Sequence, residues 1–388
     1  MRLPVSALCL ALLLPVSARA ECGGDFGSFV QGLKAEVQAR GLSAAQADAF
    51  FKGVKQDSRV LKADRAQGVF RKTFLDFQAS VISQNRLTNG ARMAQKYAAT
   101  FDRIERDYGV SRGILLAFWA LETDFGQVQG DFNTRDALVT LAHDCRRPEL
   151  FRPQVLAAAE LFRRGDFDPV RNIGAWAGEI GQVQMLPEDI LRNGVDGDGD
   201  GHVNLKGSSA DALMSGAKMI AGMGWQPGAP WLQEVVLPDT LDWGQTGLNH
   251  SLSTADWARM GVVARSGSLA PGQASILLPM GRKGPAFMAY ENFRVLFNWN
   301  KSFVYVTTAA YFATRLEGAP KLDPRAPAPG LGVDQMKALQ KALTARGYDV
   351  GPIDGILGEK TREAVQREQA RLGLPADAWP DAALLRAM

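Results

Sequence analysis

The sequence predicts a mainly α protein: one large helical domain with a few short strands, followed by a small helical domain at the C-terminus. Three observations carry this expectation. Apolar residues recur at helical spacing through most of residues 24–221 and again at 302–316. Residues 229–290 change character, with more Pro, Gly and Trp and short alternating runs. A stretch rich in proline then separates residues 332–388 from everything before them. A chain of 388 residues is long enough for one large domain and one small one.

The elements follow in order. Residues 1–20, "MRLPVSALCLALLLPVSARA", have a basic head at Arg2, an apolar run and an Ala18-Arg19-Ala20 end. This reads as a secretory signal cleaved after Ala20, against an N-terminal anchor whose apolar run would be short for a span. "GSFVQGLKAEVQARG" is a helix closing on Gly41, and "ARMAQKYAATFDRIERDYG" is another that stops at Gly109. Ser111 caps "RGILLAFWALETDFG", and further helices run through 153–164 and 210–221. "EVVLP" and "SILLP" read as strands or extended segments, and "SFVYVTTAAYFATRL" is a last long helix ending near Glu317. Residues 318–331, with Pro320, Pro324, Pro327 and Pro329, read as a stiff linker that does not pack. In 332–388, two helices, "VDQMKALQKALTARG" and "TREAVQREQARLG", flank the turn-rich "GPIDGILGEKT".

Composition narrows the function. Hydrophobic residues make up 46% and the net charge is +3, of which Arg2 and Arg19 leave with the signal. A body near neutrality carries no electrostatic footprint for nucleic acid, so no nucleic-acid partner is expected. Cys9 also leaves, so the exported chain keeps Cys22 and Cys145, an even pair that reads as a disulfide or as two buried thiols.

Three stretches carry chemistry. In "AFWALETDFG", Glu122 follows Phe118 by four residues and Leu115 by seven, which sets its carboxylate on or beside an apolar stripe. Such a carboxyl resists ionisation and suits a general acid, while the plainer reading is a Glu bonded to an Arg or backbone group at a helix end. "GAWAGEIGQVQMLP" is Gly-rich, with Gln182 and Gln184 able to bond sugar hydroxyls and amides; it reads equally as a packed turn. "VDGDGDGHVNL" (195–205) sets Asp196, Asp198 and Asp200 at positions 1, 3 and 5 of a calcium loop, with Gly201 at position 6. Position 12 is Gly207, and the next carboxylate, Asp211, comes four residues late. The loop is either a calcium site with a stretched loop or a polar turn.

Together these stretches resemble lytic murein transglycosylases of the MltB type, in the branch with a C-terminal peptidoglycan-binding domain. "DRAQGVF" (64–70), "FWALETDFG" (118–126), "DCRRPELF" (144–151), "AWAGEIGQVQMLP" (175–187), "DGDGDGH" (196–202) and "GWQPGAPW" (224–231) fall in the family's order. The C-terminal "ALQKALTARGYDVGPIDGILGEKTREAVQREQARLGLPADA" resembles its three-helix wall-binding module. The resemblance implies a lysozyme-like catalytic domain over 21–317, a flexible linker over 318–331 and a peptidoglycan-binding domain over 332–388. It implies that Glu122 is the single acid/base cleaving the MurNAc-β-1,4-GlcNAc bond without water, leaving 1,6-anhydro ends. It assigns saccharide contacts to Gln184, to Arg146 and Arg147, and to Trp299, Asn300 and Tyr305. It implies structural Ca²⁺ held by Asp196, Asp198, Asp200, the His202 carbonyl and Asp211, with no organic cofactor. Partners are peptidoglycan glycan strands and cell-wall machinery proteins, and the protein is expected to be a periplasmic monomer.

The chain departs from the family at Ala175, at Glu188-Asp189-Ile190, and at Lys218-Met219. These changes motivate a second reading, a wall-binding scaffold without turnover. A third is a muramidase that uses water, with Asp124 or Glu179 as its second carboxylate.

Overall fold

The computed structural model describes residues 22–66 and 72–388. The proposed signal, residues 1–20, and the end of the "DRAQGVF" motif lie outside the described residues.

The helix Arg112–Thr123 runs through the centre of the large domain because it is apolar on nearly every side. Gly113 through Ala120 are all buried. Ser111 caps it by accepting from the Gly113 amide at 3.1 Å, as its sequence position predicts. The Phe303–Leu316 helix packs along it, again apolar all round. Thr134–His143 and Pro148–Arg164 form a second pair beside them. The helix read as continuous to Gly109 breaks at Tyr97 into Gln84–Lys96 and Ala98–Tyr108. The second piece does end at Gly109, which adopts φ 65°.

Among the described residues the strands form two sheets. β1 (Phe132–Asn133) pairs antiparallel with β2 (Ile173–Gly174). β3 (Leu232–Val236), β4 (Leu252–Ser253), β5 (Val263–Ala264), β6 (Gln273–Leu277) and β7 (Ala286–Tyr290) form an antiparallel sheet in the order β4-β6-β7-β3-β5. β3 and β6 are the "EVV" and "SIL" segments. β7 is buried at every residue, so it lacks the alternation that betrays a strand. Cys22 and Cys145 are bonded, with Cα atoms 5.2 Å apart across 123 residues of sequence.

Residues 318–331 do not behave as an unpackable spacer. Leu322 is buried, and its amide donates to Tyr311 Oη at 2.9 Å. The Asp323 amide donates to Glu234 Oε1 at 2.9 Å and the Ala326 amide to Lys283 O at 3.2 Å. Prolines lack an N–H to satisfy, so an extended segment with one apolar anchor and a few backbone bonds lies readily on a neighbouring surface.

The C-terminal domain has three helices, Val333–Ala345, Glu359–Arg371 and Ala382–Ala387, around Leu339, Leu343, Val365 and Leu384. Buried Gln340 holds the turn between the first two. It donates to the Pro352 and Ile356 carbonyls and accepts from the Gly355 amide.

Candidate active site

Glu122 lies in the last turn of the central helix. Phe118, one turn earlier, stacks with Trp299 at 4.7 Å and with Tyr305 at 6.3 Å between ring centroids. Trp299 Nε1 donates to Glu122 Oε1 at 3.4 Å, and the Tyr305 hydroxyl donates to the same oxygen. Among the described residues, the second carboxylate oxygen accepts no hydrogen bond. Burial raises the Glu122 carboxyl above its ordinary value, and the two donors pull it partly back. Burial and the neighbouring negative charge push the Tyr305 phenol far up, so it stays a proton donor.

The chain then turns sharply. Asp124, Phe125 and Gly126 all have positive φ, at 50°, 60° and 83°. A bulky Phe there is strained and persists only because its surroundings hold it. Thr123 does the holding: its buried hydroxyl donates to Gln182 O at 2.6 Å and accepts from the Gly126 amide at 2.9 Å. Asp124 pairs with Arg86 at 3.0 Å.

The facing turn is the Gly-rich stretch. A Cβ at Gly178 would strike Leu138, and one at Gly181 (φ 79°) would strike Leu205. Gln182 is not placed to bind a sugar. It is buried, accepting from Ser209 Oγ at 3.0 Å and reaching Lys206 O at 3.4 Å. Its role is to join two loops. Gln184 is half-buried at φ 54°, with its amide on Gly181 O at 2.7 Å. Glu179 carries a buried Oε2 with no partner among the described residues. Burial and the Glu122 charge raise its carboxyl to about 7 against the pull of backbone donors and Arg147.

Arg146 and Arg147 converge on one oxygen of buried Asp64. Arg147 also lies over the Phe151 ring at 5.1 Å. Asn300 follows the helix that ends at Trp299, and its Oδ1 accepts from the amide of Ser302, the residue that caps the Tyr305 helix, at 2.8 Å. Of the departures, Glu188 is tied to buried Gln154, whose Oε1 takes the Glu188 amide at 2.9 Å.

In the acidic loop, Asp196, Asp198 and Asp211 bring carboxylate oxygens within 4.8 Å of one another. Asp200 stands outside this group. Its carboxylate instead accepts from the His202 amide at 2.9 Å, closing a local turn. The His202 ring sits on Asp166 at 3.1 Å. Buried Asp211 organises the loop, taking the Gly197 amide at 2.9 Å, Ser208 Oγ at 2.9 Å and the Asn204 amide at 2.7 Å. Amide donors led by Gly201 hold Asp196 below the usual carboxylate range. Three hard oxygen donors fit calcium rather than a softer metal.

The family model described as "Transglycosylase SLT domain" matches residues 25–314, three quarters of the chain. The chain belongs to this family. A peptidoglycan binding domain model matches 333–388 beyond the SLT domain. The Escherichia coli K12 membrane-bound lytic murein transglycosylase B is 28% identical over 235 residues, 60% of this chain and 64% of that relative. SltB3 of Pseudomonas aeruginosa, solved in complex with NAG-anhNAM-pentapeptide, is 34% identical with a TM-score of 0.86; the match covers 94% of this chain and 99% of that one. Escherichia coli Slt35, solved in complex with calcium, is 25% identical with a TM-score of 0.65, covering 79% of this chain and 98% of that one.

Within the SLT domain, sequence reasoning missed Thr123, Asp64 and the pairing of Asp124. Thr123 carries no signal, since a hydroxyl residue late in a helix is common. Asp64 stood in a quoted motif, but only the fold brings it to Arg146 and Arg147. Among the described residues, no helix is long and apolar enough to cross a membrane.

Proposed function

We propose that this chain is a peptidoglycan lytic transglycosylase, cleaving the MurNAc-β-1,4-GlcNAc bond without water. The observation that carries the reading is the Glu122 carboxyl, buried against aromatic rings and hydrogen-bonded on one oxygen only. The other oxygen is free to meet a glycosidic oxygen. In the first step the C1–O4 bond breaks and the Glu122 proton passes to the leaving O4. The resulting carboxylate then takes the proton of the muramyl C6 hydroxyl as its oxygen bonds to C1, which closes the 1,6-anhydro ring. Glu122 ends as it began, and no water is consumed. Tyr305 and Trp299 stabilise the charge Glu122 carries between the steps. Phe118 and the two rings stacked on it keep water from competing.

Arg146, Arg147, Gln184 and Asn300 are proposed to line the saccharide path. Asp196, Asp198 and Asp211 would hold Ca²⁺, which would supply charge balance for the loop and no chemistry. The C-terminal domain would bind peptidoglycan and raise the local concentration of strands. Export, with residues 1–20 removed and the disulfide formed in an oxidising compartment, fits a periplasmic enzyme.

A muramidase reading draws on one observation, the Glu179 carboxyl, whose buried Oε2 has no partner among the described residues and which feels the Glu122 charge. Asp124 does not favour it, being paired with Arg86. Mass spectrometry of sacculi digested by wild type and by Glu122→Gln separates the readings. Anhydromuropeptides from wild type alone are expected. Reducing ends would establish the hydrolase, and no new ends with sacculus binding intact would leave a binding protein.

A further inference from the structure

The C-terminal domain touches the same turn that builds the proton site. Trp299 ends the helix Glu291–Trp299, and Tyr305 lies in the first turn of Phe303–Leu316. The two donors to Glu122 are therefore the ends of one short connection, 299–305, with Phe303 inside it. Phe303 is buried, resting on Phe297 of the preceding helix at 6.3 Å. Arg362 lies over the ring, with its guanidinium 4.3 Å from the centroid. Arg362 belongs to the helix Glu359–Arg371 of the C-terminal domain.

Arg362 itself is fixed from several sides. It is 5% exposed. Its Nη2 donates to Pro279 O at 2.9 Å and its Nη1 to Leu278 O at 3.3 Å, both on the SLT domain. Trp379 flanks it at 6.0 Å. Val304, Arg362 and Trp379 also share the wall of one small cavity. Burial lowers the guanidinium to about 10, so it remains a cation at neutral pH. Among the described residues it forms no salt bridge. A buried cation with two carbonyl partners, an aromatic face, an unpartnered Nε and only the fields of Glu359 and Asp377 to offset its charge is costly unless its position matters. A planar fork that stacks while donating twice is a role for Arg rather than Lys.

We infer that Arg362 is a positioning residue for the proton site: the C-terminal domain clamps Phe303 and so holds Trp299 and Tyr305 against Glu122. The inference rests on the transglycosylase reading and goes beyond it, because it gives a wall-binding domain a part in turnover. Gln366, on the same helix, supplies the control. It bonds the Trp243 and Thr246 carbonyls at 3.1 and 2.9 Å, so it docks the same domain through a different turn of the SLT domain.

The test uses the full chain and a soluble tetrasaccharide fragment of peptidoglycan, on which anchoring to a wall has no effect. Arg362→Ala is expected to lower kcat at least about tenfold with KM within about twofold. Arg362→Lys, which keeps the charge but not the planar stack, is expected to recover part of that loss. Gln366→Ala is expected to stay near wild type. Circular dichroism checks folding, and should Arg362→Ala not fold, Arg362→Lys and Phe303→Leu decide. Wild-type kcat in folded Arg362 and Phe303 variants overturns the inference. So does an equal loss in Gln366→Ala, since docking in general would then suffice. A wild type without turnover on any peptidoglycan would sink the transglycosylase reading, and this inference with it.

Discussion

At the scale of single residues, one carboxyl is held against ionisation at a cost to the fold. Burial raises Glu122, so its proton binds more tightly in the folded chain than in the unfolded one. The stability this contributes is present below the unfolded carboxyl pKa and is lost as pH rises through the folded value. Glu122→Gln should therefore abolish turnover yet raise Tm at pH 8, by about a few degrees. Calorimetry at pH 5 and pH 8 checks this, with the gain expected to shrink at the lower pH. Glu179 answers to the Glu122 charge. Burial first, and then ionised Glu122, raise the Glu179 carboxyl to about 7, so Glu122→Gln should lower the Glu179 pKa, as a carboxyl-carbon NMR titration would read. An unmoved Glu179 titration would separate the two carboxyls. The Glu122 stripe was legible in the sequence because i and i+4 share a helix face. Its donors were named only through family resemblance, because Trp299 and Tyr305 lie 177 and 183 residues away.

At the scale of elements, the site is two turns locked together. The strained 123–126 turn hangs on Gln182 O through Thr123, and Gln182 bonds the Ser209 and Lys206 ends of the acidic loop. Calcium at Asp196, Asp198 and Asp211 would thus brace the Glu122 turn from behind. Added Ca²⁺ should raise Tm, by about 2.7 kcal/mol of stability at a hundredfold excess over Kd, and EDTA should reverse it. Asp198→Asn should remove most of the response and Asp200→Asn little of it, as thermal melts with and without calcium would reveal. The loop's spacing displayed Asp196 and Asp198 directly. That the Asp200 carboxylate takes the His202 amide and stands apart from the other three is a matter of local backbone geometry, which spacing does not encode.

At the scale of the whole molecule, the chain is one assembly rather than two domains on a tether. The 318–331 segment lies on the SLT domain through Leu322, and Trp379 of the C-terminal domain donates to Ala328 O at 2.9 Å. The native wild type should resist cleavage within 318–331 under limited proteolysis. Leu322→Asp should open that segment to protease while the disulfide stays formed, and early cutting of the wild type would restore the flexible linker. Periodicity and caps are local properties, and they determined the mainly α class, the order of the long helices and a Glu122 carboxylate on or beside an apolar stripe, while cysteine parity left a disulfide and two buried thiols both open. Tertiary structure alone decided that Gln182 is internal, that β7 is a strand, that the proline-rich segment packs and that Arg362 meets Phe303. Each of those depends on which surface a residue finds across the fold, and a buried polar or apolar group is specified by its partners rather than by its neighbours in the chain.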